Sequence, residues 1–267
     1  MSDAPAPAHR FPFGRLVAPC LPSADAPRRL LVLGAYPSAL HIRWIPPEPH
    51  RPIAALAVDN EPTPFWTGED QAIRVERWKE QVGWDGRWGE CSPVGGLNGP
   101  SGAWVARRVL RPLGAGRDDA WITDCLDTYR VSTGAEARIL DTYRPFAGAY
   151  GLPADLLGRH PSESEIVVEA LRDHRARLLR ELEEARPSLL VTLGNAALRV
   201  VVGLGAVADG SAPKCLTTDG YGRARRIRLG QREVEWLPLA HPAAPQMYQE
   251  AHAQWCASSV PSLRRLT

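Results

Sequence analysis

The chain has 267 residues, enough for one α/β domain carrying a large insertion, and its 32 Lys and Arg nearly balance 30 Asp and Glu. A net charge of +2 does not by itself establish a nucleic-acid partner. All the cations except Lys79 and Lys214 are arginines, a bias that either a phosphate-binding surface or a GC-rich genome produces. The five cysteines are odd in number and scattered, without a close Cys-x-x-Cys pair. They are expected to be reduced thiols, which excludes a zinc ribbon or a redox centre of that type. Residues 1–27 lack the apolar core of a secretory signal, and no eighteen apolar residues run together. A soluble, cytoplasmic, monomeric protein without a membrane partner is expected.

Residues 1–27 read as a loosely held arm before a domain spanning 28–267. Arg29 to Gly34 is a short apolar run ended by glycine, the pattern of a buried parallel strand entering a loop. From about 41 to 99 the chain turns Pro-rich and Trp-rich, with Ile53 to Val58 as a strand, and is too long for a plain connection. Ser101 to Leu113 carries apolar residues at helical spacing, and Ala120 to Asp124 is the next strand. Ser162 and Glu165 form a capping box that opens a helix running to about Ala185, which Pro187 ends. Leu189 to Gly194 repeats the strand-then-glycine pattern, Asn195 to Val202 continues as helix, Arg223 to Leu229 and Glu233 to Leu239 form a hairpin, and a last helix holds Gln249 to Trp255. The alternation predicts an α/β fold with a short, mostly parallel sheet covered on both faces. Such sheets bind ligands at the carboxyl ends of their strands, here at Gly34, Asp124, Gly194 and His241.

Four segments in this order resemble the motifs of the uracil-DNA glycosylase superfamily. Gly34-Ala35-Tyr36-Pro37-Ser38 resembles its first motif. Gly99-Pro100-Ser101-Gly102 opening a helix, followed by Trp121-Ile122-Thr123-Asp124, resembles the second. Arg186 to Ala197 and Leu239-Ala240-His241-Pro242 resemble the third and the closing motifs. The resemblance implies a three-layer α/β/α fold, a nucleotide flipped out of DNA and cleavage of its glycosidic bond. One branch ligates an iron-sulfur cluster through four cysteines that this chain lacks at the matching positions, so neither cluster, metal nor other cofactor is expected.

The resemblance makes His241 the donor to the O2 of the departing base. Where active branches carry Asp, Glu or Asn to position water, this chain has Ala35 and Tyr36, neither a general base at neutral pH. Either a carboxylate elsewhere serves, with Asp59 and Glu61 the nearest candidates, or catalysis rests on stabilising the leaving group. Asp124 stands where the superfamily has a uracil-reading asparagine. An ionised carboxylate only accepts hydrogen bonds, so it suits the exocyclic amine of cytosine rather than uracil O4. Ser38 leaves space at C5, and excision of ordinary cytosine would damage the cell's own genome. The pocket, lined by Gly34, Ala35, Tyr36, Ser38 and Asp124, is therefore expected to demand a C5-modified cytosine such as the hydroxymethylated or glucosylated base of phage DNA. Uracil as substrate and a non-catalytic DNA-binding role remain open. Trp66, Trp78, Trp84 and Trp88 with Asp59, Glu61, Asp70 and Asp85 suit a hydroxylated C5 group or form a subdomain core. Arg223, Arg225, Arg226 and Arg228 meet phosphates or form a solvated hairpin. Ser101 sits at the DNA face, and Met247 or Tyr248 follows the closing motif where a wedge residue is expected.

Overall fold

The computed structural model describes residues 9–154, 157–205, 215–229, 231–258 and 263–267. Its centre is a five-stranded sheet in the order β5-β1-β6-β8-β7, built from β1 (Leu30–Gly34), β5 (Ala120–Asp124), β6 (Leu189–Leu193), β8 (Arg232–Leu239) and β7 (Arg225–Leu229). The first four run parallel and β7 is antiparallel to β8. Strand alternation divides β1 between two cores. Leu31 and Leu33 pack with Ile166, Leu178 and Val200 on one face, whereas Leu30 and Val32 pack with Val109, Leu113 and Trp255 on the other. Burial on both faces explains the apolar runs Leu30 to Leu33 and Leu189 to Val191.

The first face carries α4 (Glu163–Asp173), α5 (Arg175–Ala185) and α6 (Gly194–Gly203). The opposite face carries α2 (residues 100–113, with a π-helical segment Ala106–Leu110) and α7 (Gln246–Ser258). The capping box at Ser162 and Glu165 is present, but the helix it opens breaks at His174 into α4 and α5 rather than running unbroken to Ala185. No helix among the described residues is long and apolar enough to cross a membrane.

The insertion forms its own antiparallel sheet in the order β3-β2-β4, from β2 (Ala39–Ile45), β3 (Ile53–Asn60) and β4 (Glu90–Pro93), with α1 (Gln71–Val82) beside it. β2, unread in the sequence, begins directly after the first motif. A long helix, α3 (residues 133–150), was equally unread, and its Tyr143 and Phe146 complete the insertion's core from outside the 41–99 segment.

Residues 9–25 are not a loose arm; residues 1–8 lie outside the described residues. Phe11 and Phe13 are 1% and 4% exposed. The Phe13 ring lies 5.0–5.6 Å from those of Trp44, Trp78, Trp84, Trp88 and Tyr143. Its amide donates to Tyr143 Oη at 2.6 Å. Farther on, the amides of Cys20 and Ser23 donate to the carbonyls of Asp127 and Ile122, tying the segment to the edge of the central sheet. Truncating a ring enclosed by five others leaves a cavity that such neighbours cannot fill. Phe13→Ala is expected to destabilise the protein by about 3 kcal/mol or more in chemical denaturation, whereas a loosely held arm would give a change near zero.

Candidate active site

The carboxyl ends of β1, β5, β6 and β8 share one rim, and a cavity of about 600 Å³ opens there. Its walls include Ala35, Tyr36, Ser38, Glu61, Ser101, Asp124 and His241, so residues far apart in sequence meet as expected. Gly34 pairs in register with Asp124 across β1 and β5. A Cβ at Gly34 would fall on the Asp124 carboxylate and the Phe65 ring, so only glycine permits this approach. The ladder continues past the strand ends through the Cys125 amide to the Gly34 carbonyl and the Leu126 amide to the Ala35 carbonyl, which holds the first-motif loop against β5.

Asp124 is 3% exposed and neither carboxyl oxygen has a hydrogen-bond partner among the described residues. Arg177 lies behind it but donates to the backbone carbonyls of Asp124 and Cys125, at 2.9 and 2.8 Å, and to Glu181. Loss of hydration, reinforced by the nearby Glu61, therefore raises the Asp124 pKa well above the usual carboxylate range. Burial thus favours the protonated form, which carries one donor and one acceptor. The acceptor-only carboxylate expected from the sequence is the form that this burial disfavours.

Glu61 is also buried, and burial raises its pKa to about 7 against the opposing pull of backbone hydrogen bonds from Ser38, Phe65 and Trp66. Its Oε1 accepts the Ser38 amide at 2.9 Å, so it both shapes the first-motif loop and faces the cavity. Asp59, the other carboxylate candidate, is not part of the cavity wall. It accepts from Arg15 at 3.2 Å and from the Asn60 amide at 2.9 Å, a structural arrangement at the end of β3.

His241 follows β8. Its Nδ1 accepts the Ala243 amide at 3.1 Å, and burial lowers its pKa. That combination keeps the ring neutral with its proton on Nε2, a donor available to the cavity. Gly194, at φ +87°, passes close to the His241 Cβ, so the third motif buttresses the closing one.

Several wall residues carried no sequence signal. Phe65 adopts φ +54°, uncommon for an aromatic residue, and its ring faces Gly34 and Asp124. Arg117 holds that conformation by donating to the carbonyls of Phe65 and Pro64. Tyr129, His41, Arg130 and His160 form a polar side of the cavity, where Tyr36 Oη lies 3.0 Å from His160 Nδ1 and Arg130 is paired with Glu169. The first residues of α2, α4 and α6 all reach the cavity, so three sets of helix N-terminal amides converge on it. Their dipoles favour an anionic ligand such as a DNA phosphate.

Other expected contacts separate. Of Trp66, Trp78, Trp84 and Trp88, only Trp66 lines the cavity; the other three pack in the insertion's core. Asp70 accepts from Trp66 Nε1 and Arg74, and Asp85 from Arg87, so neither reaches the site. The hairpin arginines Arg223, Arg225, Arg226 and Arg228 are all exposed, with Arg226 paired to Glu233 and Glu235, and none lines the cavity. Tyr248 is held by donating to the Leu216 carbonyl at 2.9 Å, which removes it as a wedge. Met247 is 53% exposed at the start of α7. Among the described residues no group of three His, Cys, Asp or Glu side chains could hold a metal ion.

A comparison with curated proteins returns no match. The family model for the uracil DNA glycosylase superfamily matches residues 99–260, which contain the second, third and closing motifs with Asp124, Gly194 and His241. With a mostly parallel sheet flanked by helices and a cavity at its carboxyl rim, the chain belongs to the uracil DNA glycosylase superfamily, whose members act on DNA as glycosylases.

Proposed function

We propose that the protein is a monofunctional DNA glycosylase that flips a C5-modified cytosine into the cavity and hydrolyses its N-glycosidic bond, leaving an abasic site. The observation that carries this reading is the buried Asp124 carboxyl with two unpartnered oxygens. As a neutral acid it donates its O–H to cytosine N3 and accepts from the exocyclic amine through its carbonyl oxygen. When the C1′–N1 bond breaks, its electron pair passes to the base and the Asp124 proton passes to N3. Cytosine then leaves as a neutral molecule rather than an anion. His241 Nε2–H donates to O2, where charge builds as the bond lengthens. Water attacks C1′ of the oxocarbenium sugar and gives its proton to Glu61, the carboxylate that stands in for the group missing at Ala35 and Tyr36.

The C5 requirement is supported by Ser38 and by the polar side of the cavity, Tyr36, His41, Tyr129, Arg130 and His160, which offers space and hydrogen bonds to a hydroxymethyl or glucosyl group. Phage DNA carrying such bases is the proposed target, which makes the protein a defence enzyme. DNA contact through Ser101, Met247, Arg223, Arg225 and Arg228 belongs to this proposal.

A second reading, uracil removal in base-excision repair, is favoured by the same burial of Asp124. A neutral acid also fits uracil, donating to O4 and accepting from N3–H. Base release from duplexes carrying uracil, cytosine or glucosylated hydroxymethylcytosine separates the two. Release of the glucosylated base is expected, and release of uracil alone overturns the modified-cytosine reading.

Asp124→Asn keeps the shape of the side chain and removes the proton. Its single-turnover excision of the modified cytosine is expected to fall about 10²-fold or more, with DNA binding within a few fold; an unchanged rate refutes the proton-donor role. With Glu61 as base, the wild-type rate rises as pH passes through about 7, and this limb disappears in Glu61→Gln. Stability provides a separate measurement. The folded pKa of Asp124 lies above the ordinary value of 3.8, so the folded state keeps a proton that the unfolded chain releases, and stability falls as pH rises above that value. Asp124→Asn is expected to raise Tm by a margin that widens from about pH 4 towards neutrality.

A further inference from the structure

We propose that Leu97 is a DNA-inserting side chain on the rim of the cavity, presented by the insertion and separate in sequence from the closing motif, so that the protein meets a duplex through two apolar side chains. Leu97 is 57% exposed, belongs to none of the three apolar cores and lines the mouth of the cavity. An exposed leucine alone carries no meaning; what sets this one apart is the rigidity of its mounting.

The turn Gly95–Leu97 is anchored on both sides. Gln71 Nε2 and the Asn98 amide both donate to the Gly95 carbonyl, at 3.2 and 3.0 Å. Asn98, 4% exposed, accepts the His41 amide and donates to the His41 carbonyl, each at 2.9 Å, and to Gln71 Oε1 at 3.1 Å. Gly99, at φ +69°, packs directly on the backbone of Thr67 and Gly68, where a Cβ would not fit. An apolar side chain that contributes nothing to a core is thus presented by an ordered turn, two residues before Gly99 and the amide-rich start of α2. Ordering before contact lowers the entropy lost on binding.

A duplex seated over the cavity would meet Leu97 from the insertion and Met247 from α7. An apolar side chain entering the base stack fills the gap left by the flipped nucleotide and resists its return. A single strand has no opposite partner and no continuous stack to wedge apart, so Leu97 favours duplex over single-stranded substrate. The inference rests on DNA as the partner and not on the identity of the excised base.

The test uses a duplex with a tetrahydrofuran abasic analogue and 2-aminopurine in the opposing strand. No base occupies the cavity, so the outcome is independent of what the pocket reads. Leu97→Ala is expected to bind this duplex roughly tenfold more weakly and to lose the rise in 2-aminopurine emission, with unchanged Tm and unchanged affinity for the single strand carrying the same analogue. Leu97→Phe is expected to retain both signals. Ile73→Ala, at a position 65% exposed and outside the cavity wall, is expected to match the wild type. Unchanged duplex affinity and emission in Leu97→Ala, or an equal loss on the single strand, overturns the proposal.

Discussion

The site depends on a carboxyl group held out of water between a glycine and a phenyl ring. Gly34 leaves no Cβ to displace Asp124, and Phe65 closes the other side in a backbone conformation that Arg117 maintains. The cation behind it, Arg177, spends its hydrogen bonds on backbone carbonyls and on Glu181 rather than on the Asp124 oxygens. Had the guanidinium met those oxygens, the pair would be an ordinary buried ion pair and the charged form would be favoured. Burial without a partner is costly for stability, and functional sites are where such costs are retained.

Around that group the remaining chemistry divides by charge. His241 is kept neutral by burial and by the amide it accepts, so its Nε2–H is a donor that brings no positive charge into the cavity. Glu61 sits close to neutrality because desolvation and backbone hydrogen bonds oppose one another. The helix N-termini supply a positive potential at the mouth through fixed dipoles.

The parallel sheet and its rim were legible in the sequence because strands buried on both faces leave apolar runs, as at Leu30 to Leu33 and Leu189 to Val191. Gly34, Asp124 and His241 were legible because each ends such a run. The burial of Asp124 was not, since it depends on Phe65, which belongs to no motif and comes from the insertion. β2 was hidden because Pro46, Pro47 and Pro49 follow it closely and because His41 and Arg43 interrupt its apolar pattern. Asp59 and Glu61 are two residues apart and chemically alike, and only the fold turns one to Arg15 and the other to the cavity. The hairpin arginines show the same limit, for nothing in Gly222 to Arg228 reveals that Glu233 and Glu235 lie opposite Arg226.

The anchoring of Phe11 and Phe13 bears on how this architecture could arise or be transplanted. The insertion's core draws on residues 11–13, on the Ala39–Pro93 segment and on α3, three stretches separated by strands of the central sheet. A segment cut at the visible ends of the insertion would lose rings from both flanks and could not close its own apolar centre. The insertion is therefore not a cassette that can be moved between members of the superfamily by exchanging one loop. The wall it contributes, Glu61, Phe65 and Trp66, depends on a core that also takes in Phe11, Phe13 and a helix nearly one hundred residues beyond the first motif.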